Sequence, residues 1–268
     1  MTLQNRKLQH LQAYYDLVWS SPNTEILTRL RFQTSCREFA FECLGDLKGK
    51  RLLEIGPGQG QETLFFAKEG AQVYAVDISC KSLRLIKNIS VAHEMEDLTL
   101  PEGPRITQSE QRTVNHRHIT LIQANAEQLP FKEETFDRIF AQTMLMHTDF
   151  LQVARESARI LRPGGIAVFM EPLRLNPLLY FYRKFRSTFK LTSPHYINLK
   201  DVEQMGSFFK TSFHREFYLT ALLGICLNRE RKVYQKIKQN LEYIDSWLIQ
   251  WVPFLRSFCW MTVMRFEK

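Results

Sequence analysis

Short apolar runs alternate with amphipathic stretches through the middle of this chain, and the rhythm predicts strands alternating with helices. Arg51 to Ile55 has the composition of a buried strand, Gln61 to Lys68 that of a helix, and Gln72 to Asp77 that of a second strand ending in an acid. Further strands are expected at Ile119 to Gln123, Phe136 to Ala141 and Ile166 to Met170. A helix beginning near Asp149 closes at Leu161-Arg162-Pro163-Gly164-Gly165. Such alternation makes an α/β, doubly wound parallel sheet whose ligands bind at the strand carboxyl ends. Phe213 to Leu222 and Cys259 to Phe266 supply two final strands.

The flanks read as helical. Leu8, Leu11, Tyr15, Val18 and Trp19 follow helical spacing, Ser21-Pro22 stops and restarts the chain, and Gly45 ends a second helix near Leu44. After the fifth strand, Asn176-Pro177 opens a helix with Leu178, Phe181, Phe185 and Phe189 in one stripe and Arg183, Lys184, Arg186 and Lys190 around it. A longer one runs from about Arg229 to Trp251. Val233, Ile237, Leu241, Ile244, Leu248 and Trp251 are expected on its apolar face, and Arg229, Arg231, Lys232, Lys236 and Lys238 on its solvated one. The division is a helical lid over 1–45 and a main domain over 46–268, with an insertion at about 97–117 and cap segments at about 172–210 and 224–256.

Composition narrows the field. At 268 residues one α/β unit can bury a full core. There is no 18-residue apolar run and no apolar leader, so a cytoplasmic protein is expected. Cys36, Cys43, Cys80, Cys226 and Cys259 contain no C-x-x-C pair, and reduced buried thiols are the expectation. His116 and His118, in and beside the polar insertion, lack acids or cysteines at ligand spacing, so no metal is expected. The formal charge of +8, with basic amphipathic helices, suits peripheral contact with an anionic membrane. Nucleic acid is the weaker reading, because the basic residues are dispersed rather than gathered in one aromatic-interleaved stripe.

The chemistry concentrates at Leu52-Leu53-Glu54-Ile55-Gly56-Pro57-Gly58-Gln59-Gly60, an acid followed by glycines in a strand-to-helix turn, with Asp77 closing the next strand. The ordered set continues with Asn125-Ala126-Glu127-x-Leu129-Pro130-Phe131, Phe136-Asp137 and Leu161-Arg162-Pro163-Gly164-Gly165. Over roughly residues 50 to 171 it resembles the class I S-adenosylmethionine-dependent methyltransferases, and within them the small-molecule and quinone-type branch called type 11. The resemblance implies a Rossmann-like sheet of seven strands, mostly parallel with an antiparallel last strand. It implies S-adenosylmethionine as cofactor and S-adenosylhomocysteine as product, with Gly56, Pro57, Gly58 and Gly60 passing under the methionine and ribose. Glu54 would orient the amino group, and Asp77 would accept from both ribose hydroxyls. Asn125 stands where the family usually has an aspartate that meets the adenine. Ile78 and Ala126 would flank the ring, with Glu127 beside them and Gln142 and Thr143 near the sulfonium.

The acceptor side is less defined. The family often uses an N-terminal helix as a lid, which assigns Tyr14, Tyr15 and Trp19 to closing the site over a small hydrophobic or aromatic acceptor. His147, just past the fourth strand, is the expected base for an oxygen acceptor, or else a cap on the following helix; His195 is a weaker second. Glu171 and Tyr196 are expected to orient the acceptor. A nicotinamide-dependent oxidoreductase fits less well, because its G-x-G-x-x-G spacing requires glycine where Gln61 stands. A non-catalytic binding protein of the same fold is the third reading.

Overall fold

The computed structural model describes residues 3–19, 33–92, 118–180, 194–221 and 231–268. The 97–117 insertion with His116, the Ser21-Pro22 restart, Phe181 to Lys190, Cys226 and Arg229 lie outside the described residues, as do the side chains of Leu8, Arg231, Lys232, Val233 and Lys236.

Seven strands form one sheet: β1 (Arg51–Ile55), β2 (Gln72–Asp77), β3 (Ile119–Gln123), β4 (Phe136–Gln142), β5 (Leu161–Pro172), β6 (Thr211–Phe217) and β7 (Met261–Glu267), in the order β3-β2-β1-β4-β5-β7-β6. The pairs from β3 to β5 are parallel, and β7 runs antiparallel to both β5 and β6. The helices are α1 (Leu3–Val18), α2 (Thr34–Leu44), α3 (Gln61–Lys68), α4 (Cys80–Ala92), α5 (Phe150–Ile160), α6 (Leu199–Gly206) and α7 (Arg231–Trp251).

Both faces of the sheet are covered, which is why its central strands are continuously apolar rather than alternating. Successive residues of a strand point to opposite faces, so Leu53 and Ile55 join Ile139, Phe169 and Phe266 on the side of α5 and α6, with Val153, Ala154, Val202 and Met205. Leu52 joins Val73, Phe140, Val168 and Val263 on the side of α2 and α3, with Cys36, Ala40, Leu44 and Phe66. Buried strands in the centre leave their carboxyl ends as the place where loops from several elements converge.

The structure departs from expectation at four points. β5 begins at Leu161, which pairs with Phe136 before the register shifts, so the Arg-Pro-Gly-Gly segment lies within the strand. Gly164, at φ 74, donates to Lys268 there. β6 ends at Phe217, because Tyr218 takes a left-handed backbone at φ 66 and its hydroxyl accepts from the Cys36 amide at 3.1 Å. Residues 177–180 start a helix as expected, but Leu178 is exposed and Leu179 packs on the core.

The fourth departure is the face that α7 turns inward. Its apolar stripe predicts Ile244 and Trp251 inside and Lys238 outside; the structure exposes the first two and buries Lys238. Lys238 Nζ donates to Thr34 Oγ1 at 2.6 Å, pairs with Glu242 at 3.1 Å, and sits 5.4 Å from the Tyr218 ring centre. Asp245 accepts from the Thr220 amide at 2.8 Å, the Thr220 hydroxyl and the Ala221 amide. These polar anchors rotate the helix, because a buried amide left unpaired costs more than an exposed apolar side chain. Asp245→Ala should lower stability by about 2 kcal/mol, since the two amides lose their acceptor; urea unfolding of the variant measures it.

Candidate functional site

The glycine turn joins β1 to α3 through a reversed backbone, with Gly56, Gly58 and Gly60 at φ 71, 55 and 80. A Cβ at Gly60 would stand 2.6 Å from Ile86 Cγ1, so close packing against α4 as well as the dihedral demands glycine there. The Gly56 amide donates to the Val76 carbonyl at 2.8 Å and Gly60 to Pro57 at 2.8 Å. The turn is thereby fixed against the end of β2.

Glu54 and Asp77 flank this turn, both buried. Thr63 Oγ1 donates to Glu54 at 2.5 Å, yet burial, reinforced by Glu62, pushes the Glu54 carboxyl up to about 8. Asp77 Oδ1 accepts from the Ser79 amide at 2.8 Å and Oδ2 from Ser82 Oγ at 2.8 Å. Burial raises Asp77 as well, against those bonds and others from the Gly58 and Ile78 amides. A third buried acid, Glu171 at the end of β5, accepts from the Met144 and Leu145 amides at 2.8 and 3.0 Å on one oxygen, and burial carries it to about 8.

α1 lies across these groups. Trp19 places its ring 3.2 Å from where a Cβ on Gly58 would be, and Asp16 accepts from Ser79 Oγ at 2.6 Å, just beyond Asp77. Tyr15 meets the His147 ring edge-on at 5.5 Å and Tyr14 at 5.2 Å. Burial raises the Tyr15 hydroxyl above its ordinary range, with Tyr14, Asp77, Glu171 and Tyr196 adding to the shift. Tyr15, His147, Glu171 and Tyr196 therefore gather from four separate parts of the chain.

The segment after β4 holds two unusual features. Thr143 has φ 55, an uncommon backbone for a β-branched residue, pinned by its amide bond to the Met170 carbonyl at 2.9 Å. Gln142 donates to Gln33 Oε1 at 3.4 Å, while its own Oε1 is buried with no partner among the described residues. His147 closes a short 3-10 turn, Leu145–His147, and does not cap α5; Asp149 does, accepting from the Leu151 and Gln152 amides.

Other expected residues stand further off or already engaged. His195 is half exposed, stacked on Phe150 at 5.6 Å and 3.6 Å from Asp201, where it steadies a loop rather than joining Tyr15 and His147. Its amide bond to Met146 at 2.7 Å is what brings Tyr196 near the site. Asn125 Oδ1 accepts from the Glu127 amide at 3.0 Å, which leaves its amide group and one lone pair. Glu127 accepts from the Asp149 amide at 2.9 Å, toward α5. Ile78 is half-buried and Ala126 buried. Asp16, Gln33, Thr63 and Ser82 were not expected. Ser79 and Ser82, two and five residues past Asp77, carried a readable turn-and-helix signal, whereas nothing local marked Gln33. Among the described residues no group of three or more His, Cys, Asp or Glu could hold a metal.

Comparison with known proteins matches the stretch of chain that carries the glycine turn. Residues 53–169 match the family described as a methyltransferase domain. The ubiquinone biosynthesis O-methyltransferase of Alkalilimnicola ehrlichii is 29% identical over 147 residues, 54% of this chain and 50% of that protein. The ubiquinone/menaquinone biosynthesis C-methyltransferase of Cronobacter sakazakii is 27% identical over 143 residues, 50% of this chain and 47% of that protein. This chain thus spans about half the length of the curated relatives it matches. The solved phosphoethanolamine N-methyltransferase 2 of Haemonchus contortus, in complex with S-adenosylmethionine, superposes with a TM-score of 0.56 at 17% identity, covering 87% of this chain and 52% of that one; this likeness bears on the fold alone. The resemblance to S-adenosylmethionine-dependent methyltransferases holds.

Two outcomes follow. Glu54 and Glu171 keep their protons when folded up to about pH 8 but ionise near 4.5 when unfolded. Their stabilising contribution is complete below pH 4.5 and is lost as pH rises through 8, so the melting temperature of the ligand-free protein should fall across that window, and Glu54→Gln should flatten the fall. Thr143→Gly should relieve backbone strain and raise stability by about 1 kcal/mol in urea unfolding, net of glycine's entropy.

Proposed function

We propose that this chain, whose residues 53–169 match the methyltransferase domain family, transfers a methyl group from S-adenosylmethionine to a small hydrophobic or aromatic acceptor, with a quinone-type ring as the favoured class. The observation that carries the reading is the set of three buried carboxyl groups, Glu54 and Asp77 beside the glycine turn and Glu171 across from them beside Tyr15. Burial holds Glu54 and Glu171 near a pKa of about 8, and a ligand whose ammonium sits against Glu54 would let that group ionise while Glu171 keeps its proton. Gln142 Oε1, which has no partner among the described residues, and the close-packed glycine turn fit the same ligand, one needing a donor and the other bringing backbone close. The quinone-type class rests on the names of the curated relatives and on the aromatic Tyr15 and Tyr196 beside His147 and Glu171.

When bound, the cofactor supplies an activated methyl on a sulfonium. The chain's part is to bind, align and exclude water. Glu54 receives the ammonium, Asp77 accepts from the ribose hydroxyls with the lone pairs that Ser79 and Ser82 leave, and Asn125 meets the adenine between Ile78 and Ala126. α1 covers the turn through Trp19 and Asp16, and Tyr15 closes the acceptor side. His147 accepts the proton of an oxygen acceptor, while Glu171, protonated at neutral pH, donates to it.

Calorimetric titration with S-adenosylhomocysteine, with NADH in parallel, tests the reading. Saturable binding of S-adenosylhomocysteine alone is expected; binding of NADH alone overturns it. Asp77→Ala should weaken that binding at least about tenfold, the equivalent of one lost charged hydrogen bond. His147→Ala should keep cofactor affinity while turnover of an oxygen acceptor collapses, and full turnover would remove the base assignment. Affinity for S-adenosylmethionine should rise from about pH 6 to about pH 8 as Glu54 ionises, and Glu54→Gln should abolish that rise.

A further inference from the structure

The rotation that buries Lys238 and Asp245 turns an aromatic face of α7 outward. Trp247 and Trp251 are 55% and 70% exposed, with ring centres 6.0 Å apart, and Tyr243 is more exposed still. The face continues through the 3-10 turn Pro253–Phe258, where Phe254 is 68% exposed and its ring lies 6.3 Å from Phe258. It also continues across the fold, because Asn176 Nδ2 donates to the Phe258 carbonyl at 2.9 Å and brings exposed Leu175, Leu178 and Tyr180 alongside. Scattered apolar side chains are ordinary on a surface, but two joined runs rich in tryptophan and phenylalanine are not.

Charge identifies the occupant. Between Glu171 and Asp201 the sequence holds no acid, and its charged residues are Arg174, Arg183, Lys184, Arg186, Lys190 and Lys200. Between Asp245 and Glu267 the sequence again holds no acid, while Arg256 stands exposed between Phe254 and Phe258 and reaches 4.0 Å to the buried Glu216. A protein partner or a second copy of this chain would present both signs of charge. A surface negative throughout, with an apolar layer beneath, matches an exposed aromatic face whose sequence segments carry cations and no acids. Among the described residues no helix is long and apolar enough to cross a membrane, so contact would be from one side.

We propose that the face formed by Trp247, Trp251, Phe254, Phe258 and Leu175 docks on an anionic lipid bilayer, setting the indole and phenyl rings among the headgroups and the cations against lipid phosphates. Leu175 follows Glu171 by four residues, at most about 14 Å of chain, so the docked face adjoins the acceptor side of the site. The docking stands whether or not methyl transfer does.

Vesicle flotation tests it with the full chain. The protein should float with vesicles of phosphatidylglycerol mixed into phosphatidylcholine and stay behind with phosphatidylcholine alone, added salt should release it, and its tryptophan emission should shift to the blue. The double variant Trp251→Ser, Phe254→Ser should bind at least tenfold more weakly while keeping its melting temperature and its affinity for S-adenosylhomocysteine. No flotation of the wild-type protein, or equal flotation of the double variant, overturns the proposal. So does a concentration-dependent dimer in sedimentation that the double variant abolishes, which would assign the face to a second copy.

Discussion

No side chain fits at Gly60. Its left-handed backbone and the 2.6 Å gap to Ile86 force the chain to pass between β1 and α4 as bare backbone, and the site is arranged around that passage. The same closeness presents the turn to Trp19, seats Ser82 where it reaches both the Gly58 carbonyl and Asp77, and keeps Glu54 out of water beneath. The acids are buried where the turn, Thr63 and Ser82 close around them. The electrostatics of the site is thus tied to the sterics at Gly60, six residues past Glu54.

Much of the fold was legible because covering both faces of a parallel sheet writes itself into the sequence as unbroken apolar runs. β1, β2 and β3 have the bounds that their composition predicts. What escaped was decided by contacts distant in sequence. β6 stops at Tyr218 because its hydroxyl reaches Cys36, and a tyrosine in a left-handed backbone has no local signature. α7 shows its aromatic side to solvent because Lys238, Glu242 and Asp245 find partners at residues 34, 35, 220 and 221, which no helical periodicity reveals. In the site, the glycines and acids announced themselves through spacing. Gln33 could not, since it meets Gln142 only after 109 residues of chain are folded between them.

The two halves of the site are built differently. On the glycine-turn side, groups are held by short local bonds within the turn and the start of α4, and the residues are already placed for a ligand of fixed shape. On the other side, Tyr15, His147, Glu171 and Tyr196 are delivered by α1, the 3-10 turn, β5 and the loop before α6, and meet only once the chain is folded. A site that holds one partner constant and varies the second needs that division.

Thr143 carries an implication of another kind. A threonine at φ 55 is tolerated only while the surroundings insist on it, and here the amide bond to Met170 does so at the junction of the two halves. In a lineage that still uses the site, selection for its geometry opposes relaxation. In one that has abandoned it, the strain serves nothing, and drift toward glycine or asparagine becomes favourable. Position 143 thus ties backbone strain to the place where β4 ends against β5.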